Sequence, residues 1–321
     1  MVKIDKKDLK ILYELRWNCR QTYNQLSKSV GISNQMIQYR INRLIELGVL
    51  EDTSLAIDAG RLGYQNYCVY FQWEDYNQKD AFVKDAINDP ATRYLAEGSG
   101  TMDFIASFYA KTPIEFQHIW DKYISKYGAS IRSHSIYTST ENHNFEKSYL
   151  IEAIHSKERE AFLGSSGETV EIDESDIAIL KVLSHDARAS IISIAKSCRL
   201  APDTVKSRIK RMEKNGLIQG YGWLFNLEPL GIKQYELLLS LRNMDSETWG
   251  NLRSYCRTNP NITCFIRSIG EFDADIVFEV RNESEFDKQF YKLRKIFSKY
   301  IQDFEIIKII KEHKFKYAPF L

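Results

Sequence analysis

The chain has 321 residues, 44% of them hydrophobic and 27% charged, with 44 Lys and Arg against 43 Asp and Glu. These values suit a folded protein with room for two or more domains, while a net charge of +1 says nothing about a nucleic-acid partner, which only the distribution of charge can reveal. The five cysteines (Cys19, Cys68, Cys198, Cys256, Cys264) contain no C-x-x-C pair, no apolar run reaches the length of a membrane span, and "MVKIDKKDLK" lacks a signal-peptide core, so a cytoplasmic protein without disulfides, zinc or membrane contact is expected.

Taken in chain order, "DLKILYELRWN" carries Leu9, Leu12 and Leu15 at helical spacing, and "TYNQLSKSV" reads as a second short helix. Gly31 can take a left-handed turn and Ser33 can cap the next helix, "NQMIQYRINRLIEL", whose Ile37, Ile41 and Leu44 form one apolar stripe that ends at Gly48. "VLEDTSLAID" then reads as two short strands joined at Asp52-Thr53-Ser54. Three helices and a β-ribbon, with a tight turn before the third helix, make a winged helix-turn-helix over 1–63.

From 64 to 140 the pattern changes. A strand ("YCVYFQW"), a helix ("QKDAFVKDAIND"), paired strands around "EGSGTMD", a helix ("PIEFQHIWDKYISK") and a last strand near Ile131 give the order βαββαβ of a ferredoxin-like α+β domain. Residues 141–172 read as a linker, with "LIEAIHSKEREAFL" as a helical arm and "GSSGE" as a flexible joint. The whole plan then recurs, as a winged helix-turn-helix over 173–231 and a ferredoxin-like domain over 232–321. An offset of 168 aligns 5–63 with 173–231 without a gap, matching Asp5, Asp8, Arg20, Arg40, Arg43 and Gly48 to identical residues. At an offset of 170, Pro90, Gly100 and Asp103 meet Pro260, Gly270 and Asp273. The chain is a duplicated two-part unit.

An acidic pair before I-L-x-x-L, an Arg, the stripe ending R-(I/V)-x-R, G-(V/L)-(I/L), then L-G ahead of a domain with G-x-x-D resembles the leucine-responsive/asparagine-type (Lrp/AsnC) transcription regulators, twice over. Family members are usually single units that dimerise, so the resemblance implies an in-chain pseudo-dimer, with the two sheets packed on each other, and a homo-oligomer is expected. Each copy departs from the pattern. Met36 stands where Ser or Thr is common, while Arg199 replaces the turn glycine at roughly 1–2 kcal/mol, and Ala201 replaces the N-cap serine.

Double-stranded DNA is the implied partner. The outer face of the third helix shows Asn34, Gln35, Gln38, Tyr39, Asn42 and Arg43 in copy one, and Thr204, Lys206, Ser207, Lys210 and Arg211 in copy two; Arg40 and Arg208 flank the stripes. Amides suit adenine edges, and arginines suit guanine edges or phosphates. By resemblance, the G-x-x-D loops would hold a small effector such as an amino acid, through Gly98, Ser99, Gly100, Thr101 and Asp103 in the first copy and Gly270 and Asp273 in the second. The small residues of "EGSGTMD" make the first loop the better candidate. No catalytic, metal or cofactor site is expected. The six histidines lack ligand spacing, and Gly98 and Gly100 do not continue into G-x-G-x-x-G. The alternative is a siroheme decarboxylase-like enzyme on the same plan. Those enzymes share a His-Asn-Tyr stretch ahead of the hairpin, and here "ATRYLAEGSG" and "NITCFIRSIG" contain no histidine.

Overall fold

A computed structural model describes residues 2–151, 160–163 and 168–319. The first front consists of α1 (Lys6–Trp17), α2 (Tyr23–Val30) and α3 (Asn34–Glu46). Asp5 and Asp8 form a reciprocal capping box on α1, Thr22 and Gln25 form another on α2, and Ser33 caps α3. Gly31 makes the left-handed turn at φ 75°, and Ile37, Ile41 and Leu44 are buried as their spacing requires.

The strand that follows, β1 (Leu50–Ile57), corrects the expected hairpin wing: it is a single strand. It pairs antiparallel with β7 (Ile218–Phe225) of the second copy, and the Trp223 indole donates to the Glu51 carbonyl at 2.8 Å. The ribbon is therefore shared between the two fronts. Arg20 extends the exchange, donating to the Ala187 and Ala189 carbonyls and lying over the Tyr221 ring.

In the first back half, β2 (Gln65–Trp73), α4 (Lys79–Asn88), β3 (Thr92–Gly100), β4 (Phe104–Ala110), α5 (Pro113–Tyr127) and β5 (Ile131–Asn144) follow the expected order. Alternation decides their faces. Val69, Phe71, Phe104 and Phe108 turn toward α4 and α5 and pack on Phe82, Trp120 and Tyr123. Most of the predicted helical arm lies outside the described residues. Its described end, β6 (Ala161–Phe162), is a two-residue strand on β5. The joint at 164–167 also lies outside them.

The second copy supplies α6 (Glu174–His185), α7 (Ile191–Cys198) and α8 (Pro202–Lys214), then β7. Arg199 does take the left-handed turn, at φ 55°, and Ala201 gives no side-chain cap. The second back half runs β8 (Lys233–Leu241), α9 (Ser246–Thr258), β9 (Ile262–Ile269), β10 (Ala274–Val280), α10 (Glu283–Phe297) and β11 (Ile301–Phe315).

The two four-stranded sheets join at their edges as well as facing each other. β3 pairs with β11 and β5 with β9, so β2, β4, β3, β11, β8, β10, β9 and β5 close into one antiparallel ring. Closure removes the exposed edges that two open sheets would carry. It also explains the two loop glycines. A Cβ on Gly100 (φ 126°) would sit 2.6 Å from the Ile306 carbonyl oxygen, and one on Gly270 (φ 150°) would sit 2.5 Å from the Tyr137 Cβ. Only glycine fits either crossing point.

Candidate nucleic-acid interface and effector sites

The structure divides the candidate DNA residues into free and engaged groups. On α3, Asn34, Gln35, Gln38, Tyr39 and Asn42 are exposed, and Met36 adds an apolar contact surface. Arg40 and Arg43 turn instead toward α1. The Arg40 guanidinium lies 2.8 Å from Asp5 and 2.7 Å from the fully buried Asp8, and Arg43 lies 3.2 Å from Asp8. The second copy repeats this clamp, with Arg208 on Asp173 and Asp176 and Arg211 on Asp176. Arg208 and the Asp176 amide hold the Asp173 carboxyl below its ordinary range. These four arginines brace the third helix against the first, because a buried carboxylate must be paired. On α8, Thr204, Lys206, Ser207, Lys210 and Lys214 stay exposed. Copy one thus offers amides and a phenol, and copy two offers lysines and hydroxyls.

The loop residues have structural partners. Gly98, Ser99 and Gly100 pair with Ile309, Lys308 and Ile307 of β11, and the Thr101 hydroxyl donates to Glu305 at 2.6 Å. Asp103 accepts from the Trp73 amide at 2.8 Å, and Asp273 accepts from the Leu241 amide at 2.6 Å, so both cap strand ends. The first loop, which its small residues make the better effector candidate, and the second have different surroundings. Strand β11 covers the first, whereas a cleft opens beside the second, lined by Glu141, Trp249, Arg253, Arg267, Gly270 and Asp273. There Arg253 and Arg267 flank Glu141 at 3.1 and 3.2 Å, and Arg267 stacks on Trp249. Burial works to raise the Glu160 carboxyl nearby, yet His143 and Arg257 hold it down at about 2.

A second cavity, of about 140 Å³, occupies the end of the barrel that meets the fronts, where Arg16 of α1 and Leu224 and Phe225 of β7 reach its wall. Three cations (Arg16, Arg93, Lys147) and four carboxylates (Glu236, Asp275, Glu279, Glu312) line it. Motif reasoning missed this site, although the strands carry a signal: "YELLLSL" and "ADIVFEV" each place acids among apolar residues at inward positions. Among the described residues, no group of three or more His, Cys, Asp or Glu is placed to hold a metal ion, and no helix is long and apolar enough to cross a membrane.

Comparison with known proteins matches a winged helix-turn-helix DNA-binding family to residues 4–51 and again to 172–219. An HTH-type transcriptional regulator of Pyrococcus furiosus is 31% identical over 121 residues, which cover 37% of this chain and 79% of that protein. The glutamate uptake regulatory protein of Zymomonas mobilis is 26% identical over 123 residues, covering 38% of this chain and 75% of that protein. Among solved structures, the siroheme decarboxylase NirDL superposes with a TM-score of 0.65 at 10% identity, covering 99% of this chain and 94% of that one. Likeness at that identity shows a shared tandem fold and no more. With two copies of the DNA-binding module and this identity across most of a single-unit regulator, the chain belongs to the Lrp/AsnC family of DNA-binding transcription regulators, in tandem form.

Proposed function

We propose that one chain acts as a pseudo-dimer that reads a single DNA site with two unlike recognition helices. The carrying observation is the shared β1–β7 ribbon, which ties both fronts together while α3 and α8 show different chemistry outward. A homodimer with two identical faces reads a palindrome; two different faces read unlike half-sites, with centres about 34 Å or a multiple apart. Selection of bound fragments from random DNA tests this. Non-palindromic paired motifs are the expected result, and perfect palindromes would show that identical modules pair between chains instead.

Regulation by a small effector such as an amino acid is part of the reading, with the cleft beside Gly270 as the place to look, since Arg253 and Arg267 offer donors for a carboxylate. Calorimetric screening of the twenty amino acids against wild type and Arg267→Ala tests it. Binding that survives the substitution unchanged removes this cleft.

The whole-chain likeness to NirDL favours one other reading, a siroheme decarboxylase-like enzyme. Against it, the barrel cavity gives a polycarboxylate macrocycle about 140 Å³ and more carboxylates than cations. Titration with siroheme decides the matter: a Soret shift with loss of carboxylates would establish the enzyme, and an unchanged spectrum would exclude it.

A further inference from the structure

The walls of the barrel cavity carry opposite charges from the two copies. From the second copy, Glu236 on β8 and Asp275 on β10 point into it, each about 4% exposed. The Tyr70 hydroxyl lies 2.8 Å from Glu236 and 3.1 Å from Asp275. A phenol has one hydrogen to donate, so Tyr70 can satisfy only one of the two acids at a time, and the Tyr94 hydroxyl beside Glu236 serves that acid alone. The other oxygen of Asp275 is buried without any hydrogen-bond partner. A buried acceptor left unmatched costs about 1–3 kcal/mol, more when charged, so this oxygen is a vacancy for an N–H donor.

From the first copy, Arg93 on β3 faces the same space, also buried. Among the described residues it pairs with no carboxylate. It donates to the Tyr109 and Ser107 hydroxyls at 3.2 and 3.5 Å and lies over the rings of Tyr109, Phe315 and Tyr317. A guanidinium has five N–H donors, and these two bonds leave others for an anion. Lys147 is not available in this way, because Glu279 holds it.

We propose that this cavity binds one small zwitterion, its ammonium donating to Asp275 and Glu236 and its carboxylate accepting from Arg93. Size supports one small molecule, since an engineered cavity of about 150 Å³ admits benzene. Burial pushes the Asp275 carboxyl up to about 7 and raises that of Glu236, with Asp275 adding to the effect; an ammonium would relieve both. The site differs in place and residues from the cleft beside Gly270. Because Arg16 of α1 and Phe225 of β7 also line it, occupancy would reach both DNA-binding fronts. That coupling rests on the regulator reading, whereas binding itself does not, so the test is done without DNA.

The experiment is titration calorimetry of the full chain with glycine, β-alanine and γ-aminobutyrate, against n-propylamine and propionate as single-charge controls. At least one zwitterion should bind one per chain, with both controls at least tenfold weaker. Asp275→Asn and Arg93→Gln should each weaken binding at least tenfold. If Asp275→Asn does not fold, Ser107→Leu, which fills the space beside Arg93, carries the same expectation. The proposal is overturned if no zwitterion binds, if either control binds as tightly, or if binding persists in the cavity variants.

Discussion

Substituting Lys210 tests whether α8 binds phosphate while α3 reads bases. Arg40, Arg43, Arg208 and Arg211 are all engaged with the aspartates of their first helices, so the cations left free on the two recognition faces are Lys206, Lys210 and Lys214, all on α8. Each phosphate neutralised contributes about −0.9 to the slope of log K against log salt. Three lysines therefore give a slope near −2.7 from the recognition faces, or a ~40-fold loss of affinity between 50 and 200 mM salt. Lys210→Ala should bring the slope to about −1.8 and the loss to ~12-fold, with little change in base preference. Gln38→Ala should do the opposite: the slope stays, and discrimination at one half-site falls by about 1–3 kcal/mol. Fluorescence anisotropy on a labelled duplex across that salt range reads both quantities. An unchanged slope in Lys210→Ala, or a reduced slope in Gln38→Ala, would refute this division of labour.

Three further outcomes are expected. Arg199→Gly should stabilise the protein by roughly 1 kcal/mol by releasing the left-handed strain, and Ala201→Ser should add about 1 kcal/mol through the missing cap; chemical denaturation of each variant checks both values. Gly270→Ala should be poorly tolerated, since its Cβ would collide with Tyr137, whereas Gly250→Ala, in the middle of α9 with nothing within 4 Å, should raise stability by about 0.5–1 kcal/mol; opposite shifts in melting temperature are the readout. For Asp275, the folded-state carboxyl sits near 7 against an ordinary 3.8, so its share of stability is complete below about pH 4 and is lost as pH rises through 7. Asp275→Asn escapes that loss, and its melting curve should gain on wild type from pH 5 to 8, by at most ~3 kcal/mol; parallel pH profiles would count against the buried-acid account.

What could be read in the sequence was whatever has a local signal. The third helix shows itself through Ser33, the Ile37–Ile41–Leu44 stripe and Gly48, all within a few turns of chain. The βαββαβ order likewise follows from period-2 and period-3.6 runs. Pairing between distant strands leaves no such mark: the alternation of "TSLAI" fits a local hairpin as well as it fits β7 far along the chain. The same holds for closure of the ring at β3–β11 and β5–β9, and so for the close strand crossings at Gly100 and Gly270. The arginine clamps leave no local mark for a related reason. Arg40 and Arg43 look like DNA contacts on a helical wheel, and their aspartate partners lie about 35 residues earlier in the chain.

The barrel interior shows why these two units belong on one chain. At the matching offsets of 168 and 170, Glu236 corresponds to Cys68, Asp275 to Ile105, Glu279 to Tyr109, and Arg93 to Thr263. Each of these three barrel acids of the second copy has a neutral counterpart in the first, and Arg93 of the first has a neutral counterpart in the second. Two second-copy units closed on each other would gather two sets of these acids around the axis without Arg93. Two first-copy units would gather two copies of Arg93 with none of the three acids. Both arrangements leave like charges buried together, which is costly when the charges have no partners. Pairing one unit of each kind sets Arg93 and Tyr70 in the same interior as Glu236 and Asp275. Fusion guarantees that pairing at every concentration. It also frees α3 and α8 to diverge, because neither helix must serve in both halves of a symmetric site.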